Sequence, residues 1–151
     1  MNQRFEDVAA PYAACFAIIK RDGKVAFVLR SQTGWQDGMY GLPAGRVNLD
    51  EPILVATARE AKEEIGVTID LLNLEHRLTV HRKAAADDSF WIDCYFEALA
   101  WAGEPYNAEP LKHEELAWLD PQHLPENVVP AVRDALTQIA AGKTYAEFGW
   151  N

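Results

Sequence analysis

Blocks of apolar residues alternate with polar and glycine-rich stretches along the chain, and they predict strands before and after a helix. The runs YAACFAIIK and KVAFVLR stand on either side of Asp22-Gly23, and an Asp-Gly pair between two apolar runs predicts a β-hairpin. Residues 31–44 hold four glycine or proline residues and predict a loop. Further strand-like runs cover residues 71–82 and 90–101, and the short run ELAWL predicts one more strand.

Two segments carry apolar residues at helical spacing. In residues 51–65 the apolar positions that share one face are Leu54, Ala58, Ala61 and Ile65. Pro52 fits the first helical turn with Asp50 or Glu51 as N-cap, and Gly66 predicts the end. Residues 127–141 predict a second helix. Strands, helix, strands and helix in this order predict an α+β domain with a mixed or mostly antiparallel sheet.

Length and charge limit the classes of function. The 151 residues fit a single domain spanning 1–151, with a globular composition of 49% hydrophobic and 25% charged residues. The net charge of −9 argues against a nucleic-acid polymer as partner, because the chain has no basic stripe to displace counterions. A small anionic substrate is compatible with the negative charge of the protein if a divalent cation lies between them.

The cysteines and the N-terminus indicate a cellular location. Cys15 and Cys94 lie in apolar, strand-like runs, which predicts buried thiols in a reducing compartment. The N-terminus carries early acidic residues and Pro11, which is not typical of a signal peptide. The longest apolar run is interrupted by that proline and is too short to span a bilayer. We therefore expect a cytoplasmic protein with no membrane partner.

Three glutamates share one face of the first predicted helix. Glu60, Glu63 and Glu64 stand three and four positions apart, so their charges repel. They also lie near the helix C-terminus, where the helix dipole disfavours negative charge. A bound cation would offset both effects, and carboxylate oxygens suit Mg²⁺ or Mn²⁺ better than Zn²⁺. The alternative is a solvated charged face, with Arg59 and Lys62 as neighbouring counter-charges. Spacing alone leaves both readings open.

A longer pattern around these glutamates resembles the signature of the Nudix hydrolases. That signature is Gly, five residues, Glu, seven residues, Arg-Glu, an aliphatic residue, any residue, Glu-Glu, any residue, Gly and an aliphatic residue. Every fixed position is filled, by Gly45, Glu51, Arg59, Glu60, Ala61, Glu63, Glu64, Gly66 and Val67. Ala61 is the smallest residue that the aliphatic position takes. The C-terminal YAEFGW is also similar to the ends of bacterial MutT-type nucleotide hydrolases.

The resemblance implies a Nudix α/β/α sandwich with a mixed sheet between helices, and hydrolysis of a nucleoside diphosphate linked to another moiety. It assigns Mg²⁺ binding, or Mn²⁺ in its place, to Gly45 through its carbonyl, Glu60, Glu63 and Glu64. Glu63 or Glu64 would also take a proton from the attacking water. Glu51, several turns from these glutamates, is implied as an accessory group. Arg59 is implied to orient a catalytic glutamate by ion pairing.

Some residues outside the signature are further candidates. A catalytic base could come from outside it, and the acids considered are Glu97, Glu114 and Glu115. For each of them an ordinary surface or strand-end acid is the favoured alternative, because most acids in proteins are of that kind. Arg30, at the end of the second strand, is a candidate for binding substrate phosphate, with a surface arginine as the alternative. Trp35 and Tyr40 could stack on a base or line the core.

The leading hypothesis is Mg²⁺-dependent hydrolysis of a nucleoside triphosphate, for example an oxidised 8-oxo-dGTP type, to the monophosphate and pyrophosphate. The first alternative is hydrolysis of a nucleotide sugar, ADP-ribose or another nucleoside diphosphate derivative. The second is a non-catalytic nucleotide-sensing module, which the intact glutamates disfavour. Nudix proteins are often dimers, so a homodimer is one option that the resemblance implies.

Overall fold

The strands and helices are placed by a computed structural model that describes Val8 and residues 10–151. The expectation about a signal peptide therefore falls mostly outside the described residues. The eight strands are β1 Tyr12–Arg21, β2 Lys24–Arg30, β3 Tyr40–Gly41, β4 Ala44–Arg46, β5 Leu74–Lys83, β6 Phe90–Ala98, β7 His113–Leu119 and β8 Tyr145–Phe148. The helices are α1 Ile53–Ile65 and α2 Pro130–Ala140, with a 3₁₀ turn at Leu71–Asn73. Within the described residues, neither helix is long and apolar enough to cross a bilayer.

The strands form a mixed sheet. Their order is β3-β2-β1-β6-β5-β8, with β4 paired to β1 and β7 paired to β2. β1 runs parallel to β6 and β5 runs parallel to β8, whereas the other pairs are antiparallel. The prediction of a mixed sheet is therefore confirmed.

The two helices cover opposite faces of this sheet. Successive side chains of a strand point to opposite faces, and β1 follows that rule. Ile18 packs in a buried cluster with Leu136 of α2. Its neighbour Ile19 packs in a second cluster with Ala61 and Ile65 of α1. The fold is therefore an α/β/α sandwich, as the resemblance implied.

The predicted hairpin is confirmed, and its two strands then separate. The turn residues Asp22 and Gly23 have φ of 52° and 77°, the positive values that a two-residue type I′ turn requires. Among the described residues, β1 and β2 pair only beside this turn, where Lys20 pairs with Val25 and Arg21 pairs with Lys24. Further on, β1 pairs with β4 while β2 pairs with β3 and β7. This separation leaves a cleft between the two halves of the sheet.

The start of α1 differs from the sequence prediction. The helix begins at Ile53, and Pro52 is the N-cap, with an extended φ of −62° and ψ of 145° and no side-chain capping bond. The assignment of Asp50 or Glu51 as N-cap is wrong for two reasons. Asp50 has a left-handed φ of 60°. The Glu51 carboxylate accepts hydrogen bonds from Arg59 and the Asn48 N–H instead.

Other strands and helices begin or end at different residues from those predicted, because pairing between distant strands or a proline determines their ends. The predicted loop 31–44 contains β3 and the first residue of β4, and residues 71–73 form the 3₁₀ turn rather than strand. β6 ends at Ala98. The second helix starts at Pro130, three residues late, because a residue before proline is pushed out of the helical region. β8 was not predicted from the sequence.

Gly66 ends α1 as predicted, and replacing it has an expected cost in stability. It has a left-handed φ of 75° and its N–H donates to the Lys62 carbonyl. A Cβ at this position would overlap the Tyr106 ring. We expect Gly66→Ala to lower the free energy of unfolding by about 2 kcal/mol or more, because left-handed strain of about 1–2 kcal/mol adds to the overlap.

Gly142→Ala is the matched control, measured by the same denaturant titration. Gly142 has a similar φ of 78°, but a Cβ there would meet open space. It should therefore lose only the backbone part of the cost, about 1–2 kcal/mol. Equal losses in the two variants would show that the Tyr106 ring moves aside freely.

Candidate active site

A cavity of about 660 Å³ opens at the cleft between the two halves of the sheet. β1 and β4 contribute residues from one half, and β2 and β3 contribute residues from the other. Helix α1 adds acidic side chains, and the start of α2 adds apolar ones. The acidic residues that face the cavity near α1 are Glu60, Glu63, Glu64 and Glu109. We call this set the carboxylate wall.

Glu64 is the most buried member of the carboxylate wall. It is 8% exposed, and one of its oxygens accepts a hydrogen bond of 2.8 Å from the Ala44 N–H. Burial raises the pKa of Glu64 well above its ordinary value, and the nearby charges of Glu60 and Glu109 add to the effect. Burial also raises the pKa of Glu60. The Glu64 carboxylate is therefore costly to ionise without a cation beside it.

Arg59 joins the acids of the signature into one network. Its Nε donates to Glu51 Oε2 at 2.7 Å and its Nη1 donates to Glu60 Oε1 at 2.8 Å. The same Nη1 lies 3.3 Å from Glu63 Oε2. The hydrogen bonds from Arg59 lower the pKa of Glu51. Glu51 lies several turns from the other glutamates along the chain, and the Arg59 side chain links it to Glu60.

Gly45 lies against the carboxylate wall with no room for a side chain. A Cβ at Gly45 would overlap the Glu60 carboxylate. Its carbonyl oxygen accepts a hydrogen bond from the buried Cys15 thiol at 3.6 Å. Burial raises the pKa of Cys15 to about 11, so the thiol stays protonated and unreactive. Glycine at this position lets backbone and carboxylate approach closely.

The donor atoms of the carboxylate wall fit a divalent cation of the Mg²⁺ type. As the side chains stand, the described residues contain no cluster of three or more acidic, histidine or cysteine groups close enough to hold a metal. Arg59 instead provides the positive charge at Glu60 and Glu63. Carboxylates and a backbone carbonyl are the hard oxygen donors that Mg²⁺ and Mn²⁺ prefer. The raised pKa values of Glu60 and Glu64 fit a site whose charge a cation stabilises.

The acids proposed as bases outside the signature lie away from the cavity. Glu97 pairs with Lys20 at 3.6 Å and with Arg77 at 3.3 Å. Glu115 accepts a hydrogen bond from the Tyr40 hydroxyl, and Glu114 is exposed to solvent. None of the three glutamates lines the cavity. Their positions agree with the alternative of ordinary surface or ion-paired acids.

Glu109 is the acid from outside the signature that does face the cavity. The loop before β7 is held on the end of α1, because the N–H groups of Tyr106 and Ala108 donate to the carbonyls of Ile65 and Glu64. This attachment places Glu109 in the carboxylate wall, where Lys112 pairs with it at 3.2 Å. No local pattern in the sequence marks Glu109, since its position depends on how the loop folds back.

Arg30, the last residue of β2, also lines the cavity. Its Nε donates to the Trp35 carbonyl at 2.9 Å, and its Nη2 donates to Thr33 Oγ1 at 3.1 Å. Burial lowers its pKa, and its guanidinium lies 4.9 Å from the centre of the Trp35 ring. Trp35 also lines the cavity and is 45% exposed, whereas Tyr40 does not line it. Of the two aromatic candidates, Trp35 alone is placed to meet a ligand.

His113 lines the same cavity and was not selected from the sequence. It is 2% exposed, and its Nδ1 has no hydrogen-bond partner among the described residues. Burial lowers its pKa, although the charge of Glu109 opposes that effect. In the sequence, His113 begins the run HEELA, which is an incomplete zinc-binding pattern because Ala117 stands where the second histidine would be. Only the strand register of β7 puts this ring beside the carboxylate wall.

The sandwich fold and the carboxylate-lined cleft define a class of protein, and comparison with known families agrees. The NUDIX domain model matches residues 9–139. That match covers most of the chain, which therefore belongs to the NUDIX domain family.

Solved structures and one curated relative are similar to this chain. A MutT NUDIX hydrolase from Burkholderia pseudomallei is 34% identical, covers 85% of this chain and 98% of its own, and superposes with a TM-score of 0.77. A NUDIX hydrolase from Nitrosomonas europaea, 21% identical over 90% and 93% of the two chains with a TM-score of 0.75, supports the fold alone. The Mycobacterium tuberculosis protein named "Putative 8-oxo-dGTP diphosphatase 3" is 30% identical over 101 residues, which is 65% of this chain. The chain spans 46% of that relative's length.

The raised pKa of Glu64 predicts how stability depends on pH. A carboxyl whose pKa is raised on folding binds more protons in the folded state, so its contribution to stability falls as pH rises above the ordinary value of 4.5. We expect the free energy of unfolding of Glu64→Gln, minus that of the wild type, to grow as the pH in EDTA is raised above about 4.5. Denaturant titrations across this range measure the difference. A difference that stays flat would contradict the assignment.

Proposed function

We propose that the protein is a Mg²⁺-dependent hydrolase that cleaves a pyrophosphate bond of a nucleoside triphosphate, giving the monophosphate and pyrophosphate. The observation that carries the proposal is the carboxylate wall, with Glu64 buried, in the same cavity as Arg30. An oxidised guanine nucleotide is the substrate that the name of the Mycobacterium tuberculosis relative suggests. The net charge of −9 supports a small nucleotide rather than a nucleic-acid polymer.

The carboxylate wall supplies the ligands in this proposal. Glu60, Glu63, Glu64 and the Gly45 carbonyl would hold the cation, and Glu109 stands beside them as a further oxygen donor. When bound, a divalent cation neutralises pyrophosphate oxygens and makes a water molecule more acidic. Arg59 holds Glu60 and Glu63 in position through its hydrogen bonds and keeps Glu51 in the same network.

The reaction is a displacement at phosphorus. The oxygen of a water molecule forms a bond to the α-phosphorus, and the bond from the α-phosphorus to the oxygen that bridges it to the β-phosphorus breaks. The water proton passes to Glu63 or Glu64. Arg30 donates to the phosphate oxygens, since it lines the same cavity as the carboxylate wall. Pyrophosphate leaves with the bridging oxygen.

The cytoplasm is the proposed location. Both cysteines are free thiols, Cys15 fully buried and Cys94 partly so. Free thiols of this kind are typical of a reducing compartment.

A substrate panel tests the proposal. The protein is incubated with Mg²⁺ and with nucleoside triphosphates, 8-oxo-dGTP, nucleotide sugars, ADP-ribose and dinucleoside polyphosphates, and pyrophosphate and phosphate release are followed. We expect pyrophosphate from at least one triphosphate, and loss of that activity in EDTA with recovery on adding Mg²⁺. Cleavage of nucleotide sugars or ADP-ribose alone would replace the substrate class. Nucleotide binding without any release would identify a sensing module.

A further inference from the structure

The cavity has a second wall whose chemistry differs from that of the carboxylates. It lies on the sheet face that α2 covers, and its residues are aromatic, aliphatic and one arginine. They are Phe16, Leu42, Arg82, Trp91, Val129 and Val132. We call this set the α2 wall. Flat apolar surface with few polar groups is what a ligand pocket offers to a ring system.

Arg82 is held in one orientation by a buried carboxylate. Its Nε lies 2.5 Å from Asp93 Oδ2, and its Nη2 lies 3.2 Å from Asp93 Oδ1. Asp93 is fully buried, and its pKa is raised by that burial, with Arg82 opposing the effect. Two parallel hydrogen bonds of this kind fix the plane of the guanidinium. The charge of Arg82 is also largely balanced, so this wall is a weak site for an anion.

Trp91 supports the same guanidinium from the side. The Arg82 guanidinium carbon lies 5.1 Å from the centre of the Trp91 ring. The ring is itself fixed, because Tyr12 lies 5.0 Å away and the indole N–H donates to Ser89 Oγ at 2.9 Å. Over the part of the chain that the structure describes, the Nη1 of Arg82 has no protein acceptor. A preoriented N–H donor is thus available at the cavity surface.

We propose that Arg82 determines base specificity: its Nη1 donates to the keto oxygen O6 of a guanine-type base that lies on the α2 wall. The inference rests on the proposed function and deepens it. Guanine presents the O6 acceptor where adenine presents an N6 amino donor, so the same arginine accepts one purine and repels the other. An oxidised guanine keeps O6 and remains a substrate. Asp93 and Trp91 are positioning residues for this contact.

The test uses purine triphosphates that differ at one edge. GTP has O6 and a 2-amino group, ITP has O6 alone, and ATP has an amino group at that position. We expect GTP and ITP to have similar kcat/KM values, both about 10–100-fold above ATP. A preference for ATP, or GTP well above ITP, would overturn the proposal, because the 2-amino group rather than O6 would then be recognised.

Arg82→Lys is the first variant, since lysine keeps a positive charge for buried Asp93 but loses the planar fork. The ratio of GTP to ATP should fall towards one, through a higher KM for GTP and little change in kcat. Arg77→Lys is the control on the same strand, because Arg77 pairs with Glu75 and Glu97 outside the cavity. The ratio of kcat/KM for GTP to that for ATP in Arg77→Lys should equal the wild-type ratio. An unchanged ratio in Arg82→Lys, or equal losses for GTP and ATP, would overturn the proposal.

A double variant and a binding measurement complete the design. If Arg82→Lys does not fold, the variant with Arg82→Leu and Asp93→Leu removes the whole pair without leaving an unpaired buried charge, and the same ratio is measured. Dissociation constants for GTP, ITP and ATP with Mg²⁺ are measured in parallel by calorimetry. Failure of every triphosphate to release pyrophosphate rejects the proposed function, whereas the dissociation constants still decide the base preference.

Discussion

The Glu64→Gln variant is expected to lose turnover by about 10²–10³-fold while folding normally, the size of loss seen when one preorganised electrostatic group is removed from a site. Glutamine keeps the shape of the side chain and an oxygen that can accept from the Ala44 N–H. It cannot bind a cation through a negative charge or accept the water proton. Its neutral amide also removes a buried charge next to Glu60, so the melting temperature in EDTA should equal or exceed that of the wild type.

Two measurements check this expectation, the rate of pyrophosphate release at saturating Mg²⁺ and the thermal transition in EDTA. Glu97→Gln is the matched control, because Glu97 makes ion pairs outside the cavity. It should keep the wild-type rate. Near-normal turnover in Glu64→Gln would remove Glu64 from the reaction and leave the buried carboxylate with a purely structural explanation.

Arg59→Gln is expected to lower activity or cation affinity by about 10–100-fold, as is typical when a residue that orients metal ligands is removed. Three acids lose their shared counter-charge in this variant, namely Glu51, Glu60 and Glu63. Their side chains would repel one another and adopt several arrangements. Titrating activity against Mg²⁺ should show a higher half-saturation concentration together with a lower maximal rate.

Arg59→Lys tests whether the geometry of the guanidinium or only its charge is needed, and Arg21→Gln is the control. Lysine retains the charge of Arg59 but cannot reach three carboxylates with a planar fork, so it should recover only part of the lost activity. Arg21 pairs with the exposed Glu104 away from the cavity, and its replacement should leave the Mg²⁺ titration unchanged. Full recovery by lysine would mean that charge alone suffices.

Local sequence signals predicted the parts of the fold that local forces determine. The Asp22-Gly23 turn formed because positive φ at both positions matches the twist of a hairpin. Helix α1 ended at Gly66 because a left-handed residue closes a helix. The predicted apolar face of α1 agrees only in part with the burial in the structure. Ala61 and Ile65 are buried, but Leu54 and Ala58 are only half-buried, and Thr57 and Glu64 take up buried positions instead.

The rest of the candidate site depends on contacts that no short window of sequence contains. Glu109 reaches the carboxylate wall because its loop is hydrogen-bonded to the end of α1. Arg82 and His113 come to the cavity through the registers of β5 and β7 in the sheet. The signature identified the glutamates of α1 because their spacing is local. It could not identify the residues that line the cavity from other strands.

The separation of β1 from β2 has a consequence for folding kinetics. Because the hairpin pairing stops beside its turn, β1 completes its hydrogen bonds with β6, in the register that places Cys15 opposite Cys94. Such contacts between distant parts of the chain form slowly, because a long loop must close before they are gained. The cavity wall built on β1 and β6 therefore requires the chain at least as far as β6, so a fragment that ends before Phe90 contains every signature glutamate but lacks this wall.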